Sequence, residues 1–298
     1  MCAGLVGSNI DPMTEKPDAP NIEERLVFTH STDNLPLAGV SIGRQGGQAT
    51  ALVWIHGGAS NFYQRSYVRI GRDLAKRGFL FVSANTRGHD AYALMERGEE
   101  TIPAGTCFER FDEAPRDIEA WVNLATSMGA ERIVLLGHSQ GASKVVLYQA
   151  ERNDPRIVGL VAASPPTFGR PQPERIALAV QMVSEGRGAE LLPHLEGSPV
   201  WNLVSAQTLF TREDILRHAF ESETRQADIT RVRCPVLLLH GEAEEFEPAW
   251  LKRVKANGES ATLQVEMIEG ADHNYSGVES RVAARIAEWV QSLAQVDR

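Results

Sequence analysis

The sequence predicts an α/β domain built on a mostly parallel sheet, and three observations carry that prediction. From residue 51 onward, short continuous apolar runs alternate with longer stretches whose apolar residues recur at helical spacing, the pattern of buried parallel strands covered by helices. At one strand-helix junction, LLGHSQGASK (135–144), Ser139 stands between Gly137 and Gly141. The alternation breaks once, between Pro165 and Val232, where no strand-like run occurs.

In chain order, residues 1–22 have neither the basic region nor the apolar stretch of a signal peptide and are expected to form a flexible tail. Residues 25–43 carry two β-prone arms around the turn-forming pair Asp33-Asn34, which predicts an antiparallel hairpin. Strands are expected at 51–57, 79–85, 132–138, 157–164, 235–241 and 263–270. Helices are expected at 67–78, 114–129, 141–151 and 280–295, several of them bounded by Gly or Pro. Residues 89–114 make a long loop of the kind that forms pocket walls. In the break, helical patterns at 175–184 and 211–220 are joined by Pro- and Gly-containing loops. An insertion this long is expected to lie as a helical cap over the strand ends. The expected division is therefore a core of 23–164 and 231–298 with a cap insertion at 165–230.

At 298 residues and 43% hydrophobic, the chain is long enough for one large core. Its net charge of -9 is spread over interspersed acidic and basic residues, with no Lys/Arg block, which argues against nucleic acid as a partner. No apolar run approaches the roughly 18 residues of a membrane span. Cys2, Cys107 and Cys234 are odd in number, widely spaced and without a CxxC pair, so a reducing, cytoplasmic compartment and no metal site are expected.

A bare GxSxG is weak evidence, and its context decides. Here the apolar run Ile133–Leu136 leads into the motif and a helical pattern leaves it, as a nucleophile elbow requires. Glycine on both sides meets the two demands of such a turn: strained backbone at the serine, and a strand and helix too close together for side chains at 137 and 141. A serine hydroxyl is a poor nucleophile at neutral pH and needs an imidazole to take its proton and a third group to orient that imidazole. Of the eight histidines, His273 in EGADHNYSG, after the last strand and before the last helix, is the best placed base. His56, His89, His138 and His240 read as packing or loop-orienting residues. The acid should leave the strand PVLLLHG, where HGEAEEF offers Glu242, Glu244 and Glu245; Glu244, three residues past Gly241, is preferred, and Asp272 reads as a loop former. The developing oxyanion needs donors: the Gln140 backbone N–H is one, and HGGAS (56–60) supplies the other from Gly58, with Ala59 as the alternative. A serine triad needs no cofactor.

With an elbow, an HGG loop, a late acid and a late histidine in the order Ser, Glu, His, the sequence resembles the α/β-hydrolase superfamily over residues 25–295. The resemblance implies an eight-stranded, mostly parallel sheet with helices on both faces and a helical cap inserted after strand six. Glu244 departs from the aspartate commoner at that position. The stretches HGGASNFY, SANTRGHD, FDEAPRDIEAWV, GHSQGASKVV and AASPP look like a branch that includes fungal siderophore ester hydrolases. Within that resemblance NTRGHD (85–90) faces the active site, with His89 as a substrate contact and Arg87 and Asp90 either touching substrate or bracing the loop. In the insertion, Met182, Trp201 and Phe210 are candidates to line an apolar pocket, Trp201 and Phe210 as substrate contacts, or all three belong to the insertion's own core. The implied activity is hydrolysis of a small-molecule carboxylic ester through an acyl-serine, with a macrolactone or siderophore as the implied kind of substrate. The same machinery serves thioesterases, amidases, C–C bond hydrolases and acyltransferases, and the scaffold also serves non-catalytic ligand binders.

Overall fold

The apolar run that begins at residue 51 is buried on both of its faces. In the computed structural model, which describes residues 22–44, 50–166, 173–195, 202–221, 226–244, 248–257 and 262–296, Ala51, Val53 and Ile55 enter one hydrophobic cluster, and Leu52 and Trp54 enter a second on the opposite side of the sheet. This explains why the strand reads as continuous rather than alternating.

The strands are β1 (Glu24–His30), β2 (Pro36–Ile42), β3 (Thr50–Ile55), β4 (Leu80–Ala84), β5 (Ala93–Arg97), β6 (Glu100–Ala104), β7 (Arg132–His138), β8 (Ile157–Ala163), β9 (Val236–Gly241) and β10 (Leu263–Ile268). The helices are α1 (Arg65–Lys76), α2 (Ala114–Ser127), α3 (Gln140–Arg152), α4 (Pro173–Ser184), α5 (Ala206–His218), α6 (Pro248–Asn257) and α7 (Glu279–Val296). Eight strands form one sheet in the order β1-β2-β4-β3-β7-β8-β9-β10. β2 pairs antiparallel with β1 and β4, and every other pairing in that sheet is parallel. The hairpin turns as expected, with Asn34 at φ 66° and the Ser31 N–H bonded to the Leu35 carbonyl at 2.9 Å.

Helices cover both faces. Ile118 and Trp121 of α2 and Val145 and Val146 of α3 pack on one side, and Tyr67, Ile70 and Leu74 of α1 with Val282 and Ile286 of α7 pack on the other. β3 lies between β4 and β7, so the chain order reverses there, and the loops leaving the carboxyl ends of β3, β7, β9 and β10 converge on that crevice.

Two elements were not expected. The segment 89–114 carries a small two-stranded sheet, β5 with β6, turning at Gly98 with φ 66°. It gives no alternating signal because only Met95 and Ala104 of its ten residues are buried. Helix α6 is the other, although Trp250, Leu251 and Val254 stand at helical spacing.

Between β8 and β9, α4 and α5 pack around Ala179, Met182, Leu192, Val204, Ala206 and Leu209. This small core is tied to the 105–111 segment, where the Cys107 carbonyl accepts from the Ser205 N–H at 2.7 Å and from the Thr208 hydroxyl at 3.0 Å. Residues 1–21 of the expected tail lie outside the described residues. Among the described residues, no helix is long and apolar enough to cross a membrane.

Candidate active site

Ser139 is the residue between β7 and α3, and its backbone is forced to φ 53° and ψ -123°. That angle pair is strained for any residue with a side chain, and it turns the Oγ outward at the carboxyl edge of the sheet. The flanking glycines admit no substitute. A Cβ on Gly137 would stand 2.2 Å from the Gly141 carbonyl oxygen, and one on Gly141 would stand 2.4 Å from that of Ile55 and 2.6 Å from that of His56. Because those obstacles are backbone at the end of β3, Gly141→Ala is expected to push α3 off the sheet. The expected loss is about 1 to 3 kcal/mol of stability, read as a lower urea midpoint, with a parallel loss of activity.

Three expected partners meet. His273, in the loop after β10, has Nδ1 2.7 Å from Glu244 Oε2 and Nε2 3.1 Å from Ser139 Oγ. The carboxylate at Nδ1 makes that nitrogen the proton carrier and leaves Nε2 as the acceptor facing the serine. Glu244 leaves β9, and its other oxygen accepts from the Gly241 N–H at 2.7 Å and from the Ser164 hydroxyl. Burial raises the Glu244 carboxyl, but the bonds from His273, Ser164 and Gly241 outweigh it and hold it below the ordinary carboxylate range. Glu242 is exposed and accepts from the Gly270 N–H, whereas Glu245 lies outside the described residues. Asp272 caps its own loop through the N–H groups of Asn274 and Ser276.

The oxyanion donors also sort themselves. The Ala59 N–H is occupied by Thr106 Oγ1 at 2.7 Å, while among the described residues the N–H groups of Gly58 and Gln140 donate to no protein acceptor. Gln140 opens α3, so its N–H is one of those a helix leaves unpaired, at the positive end of the helix dipole.

A histidine from inside the elbow positions the loop of His273. His138 Nε2 donates to the His273 carbonyl at 2.6 Å, while Nδ1 accepts from the Tyr67 hydroxyl at 2.7 Å, which in turn accepts from the Gly57 N–H at 3.3 Å. Burial, with the His273 ring next to it, pushes His138 down to about 4, and burial with the Lys144 charge pushes His56 down to about 3. Both rings are therefore neutral at pH 7 and act through fixed tautomers. His138 was expected to be a packing or loop-orienting residue, and its bond to the His273 carbonyl matches the second; the Tyr67 link could not be seen because 71 residues separate the two.

The serine opens into a cavity of about 560 Å³. Gly58, Ser139, Gln140 and His273 line its core side, and Asn202, Arg212, Glu213 and Leu216 line the side of the insertion. Two expected contacts do not sit there. His89 is not in the lining, because its ring is held by Asp90 at 2.8 Å, and Asp90 is itself fixed by Asn61 at 2.7 Å. Phe210 is 41% exposed, on the face of α5 opposite the buried positions that meet the core. Trp201 lies outside the described residues. Arg87 braces: its buried guanidinium joins Asp117, Asp33 and Glu113, tying the hairpin turn, the 85–90 loop and α2 together. Among the described residues no group of three or more His, Cys, Asp or Glu side chains is placed to hold a metal ion.

The model of the alpha/beta hydrolase family matches residues 52–289. No curated protein matches the chain. Among solved structures, Est1E from Butyrivibrio proteoclasticus with ferulic acid bound is 18% identical, with a TM-score of 0.64 over 90% of this chain and 100% of that one. A monoacylglycerol lipase of Paleococcus ferrophilus is 21% identical, with a TM-score of 0.63 over 86% and 99%. An esterase of Pyrococcus furiosus is 17% identical, with a TM-score of 0.59 over 91% of both chains. At these identities the likeness is one of fold.

Proposed function

The chain belongs to the alpha/beta hydrolase family, and from that premise we propose that it is a carboxylic ester hydrolase working through an acyl-Ser139 intermediate. The observation that carries this reading is the continuous relay from Glu244 through His273 to Ser139, at 2.7 and 3.1 Å, opening on a cavity. Its fold neighbours with esterase and lipase activity support the same class.

Ser139 Oγ attacks the ester carbonyl carbon as its proton passes to His273 Nε2, and Glu244 stabilises the imidazolium through Nδ1. The oxyanion is received by the Gly58 and Gln140 N–H groups. Collapse breaks the bond to the alcohol, which leaves with the proton from His273. Water then gives a proton to His273 and attacks the acyl carbon; collapse releases the acid and returns the proton to Ser139. The insertion serves as a cap, since Arg212, Glu213 and Leu216 close one side of the cavity. The volume lies in the range that encloses a small molecule, roughly 300 to 1,000 Å³, and a macrolactone or siderophore would present one ester arm at a time. Buried, unpaired Cys107 and Cys234 fit a reducing, cytoplasmic setting.

The test is labelling with a fluorophosphonate, read by intact mass, beside turnover of p-nitrophenyl esters, thioesters and amides. One adduct on the wild type, none on Ser139→Ala, and esters turned over fastest are expected. A wild type that takes no adduct and hydrolyses no ester would move the protein to the non-catalytic binders.

A further inference from the structure

Among the described residues, the cavity's one cation outside the relay is Arg212. Arg212, on α5, lines it together with Ser139, yet its side chain is only 9% exposed. Among the described residues none of its N–H groups makes a hydrogen bond of ordinary length. It forms a loose ion pair with Glu213, whose Oε1 stands 3.7 Å from Nε, beyond hydrogen-bond reach. Glu109, whose charge it also feels, is already bonded to Lys144. Burial lowers the Arg212 guanidinium against the pull of Glu213 and Glu109, so desolvation is the larger influence. An arginine cannot shed its proton to escape that cost, and a buried charge without hydrogen-bonded partners is among the most expensive groups a protein can hold.

We propose that Arg212 binds a carboxylate carried by the substrate, so that the preferred esters of this enzyme are singly anionic. The inference rests on the ester-hydrolase reading and names its substrate class. A planar guanidinium presents parallel N–H donors that match the two oxygens of a carboxylate. Glu213, 3.7 Å from Arg212 in the same lining, already offsets part of its charge, which favours a monoanionic carboxylate over a doubly charged phosphate. Pro166 and Leu216, also in the lining, suit the apolar chain between carboxylate and scissile ester.

The experiment compares kcat/KM within matched pairs. Mono-p-nitrophenyl adipate against p-nitrophenyl hexanoate puts the charge on the acyl side, and 6-(butanoyloxy)hexanoate against hexyl butanoate puts it on the alcohol side. The charged member is expected to be preferred by about 10- to 100-fold in at least one pair, the size of a charge-assisted contact. Arg212→Gln is expected to bring that ratio to about one, and Arg212→Lys to restore part of it. Should Arg212→Gln fail to fold, the wild-type ratios decide alone. Turnover of both members with ratios at or below one in both pairs would overturn the carboxylate inference and leave the ester-hydrolase reading intact. No turnover of any ester, with no phosphonate adduct on Ser139, would remove that reading and the inference with it.

Discussion

Replacing Ser139 or His273 by alanine, singly or together, is expected to lower ester kcat/KM by the same factor, on the order of 10⁴ to 10⁶. The two side chains form one device: an imidazole with no hydroxyl to deprotonate contributes nothing, and a hydroxyl with no base at 3.1 Å remains a weak nucleophile. What survives is whatever the Gly58 and Gln140 N–H groups and the cavity supply. The Glu244→Gln variant tests the third member more finely. The Gly241 N–H and the Ser164 hydroxyl both donate to Glu244 Oε1, so a glutamine would keep its carbonyl oxygen there and turn its NH₂ toward His273. That forces the imidazole proton onto Nε2, facing Ser139, which is the wrong tautomer for a base. The expected loss is about 10⁴-fold with little change in melting temperature, since the shape is conserved. Steady-state kinetics on the three single variants and the Ser139/His273 double variant check this. A double loss equal to the product of the single losses would mean that the residues act independently and that the relay is not the catalytic unit.

Most of this site was legible because its logic is local. The elbow depends on three consecutive elements of chain, and the candidate acid follows β9, buried along its whole length, while the candidate base follows the edge strand β10, where only Ile268 is buried. Gly58 could not be separated from Ala59 without the structure, because the distinction rests on Thr106, 47 residues away, occupying the Ala59 N–H. The insertion was readable as a break in rhythm, but which of its side chains face the serine was not. Large apolar residues drew attention to Phe210, which points to solvent, while the cavity is met by Arg212 within TRED, a stretch that reads as a solvated helix face. Helix α5 lies between the insertion's core and the Phe111, Leu147 and Ile215 cluster, so Arg212 is covered from both sides while Asp214 and Arg217 stay exposed. No periodicity within a single helix announces a second covered face.

The same failure of local reading hides a fully buried ion pair on the elbow helix. Lys144 of α3 and Glu109 have fully buried side chains and are bonded to each other, with Lys144 Nζ 4.7 Å from the Phe111 ring centroid. Burial pushes the Glu109 carboxyl up even against the charge of Lys144, so this carboxylate depends on its partner to stay ionised. Glu109 belongs to the segment whose Thr106 holds the Ala59 N–H and whose Cys107 carbonyl holds the insertion, so the pair fastens the helix of Ser139 to both walls of the cavity. Removing one partner, as in Lys144→Met or Glu109→Leu, leaves the other charge or a protonated acid without its mate and is expected to cost about 3 to 5 kcal/mol. The double variant is expected to recover most of that loss, because two apolar side chains of similar volume leave nothing unpaired. Urea unfolding of the four proteins closes the cycle: a large coupling energy identifies the pair as the anchor, whereas additive losses would place the stability of the elbow in the apolar contacts of α3 alone.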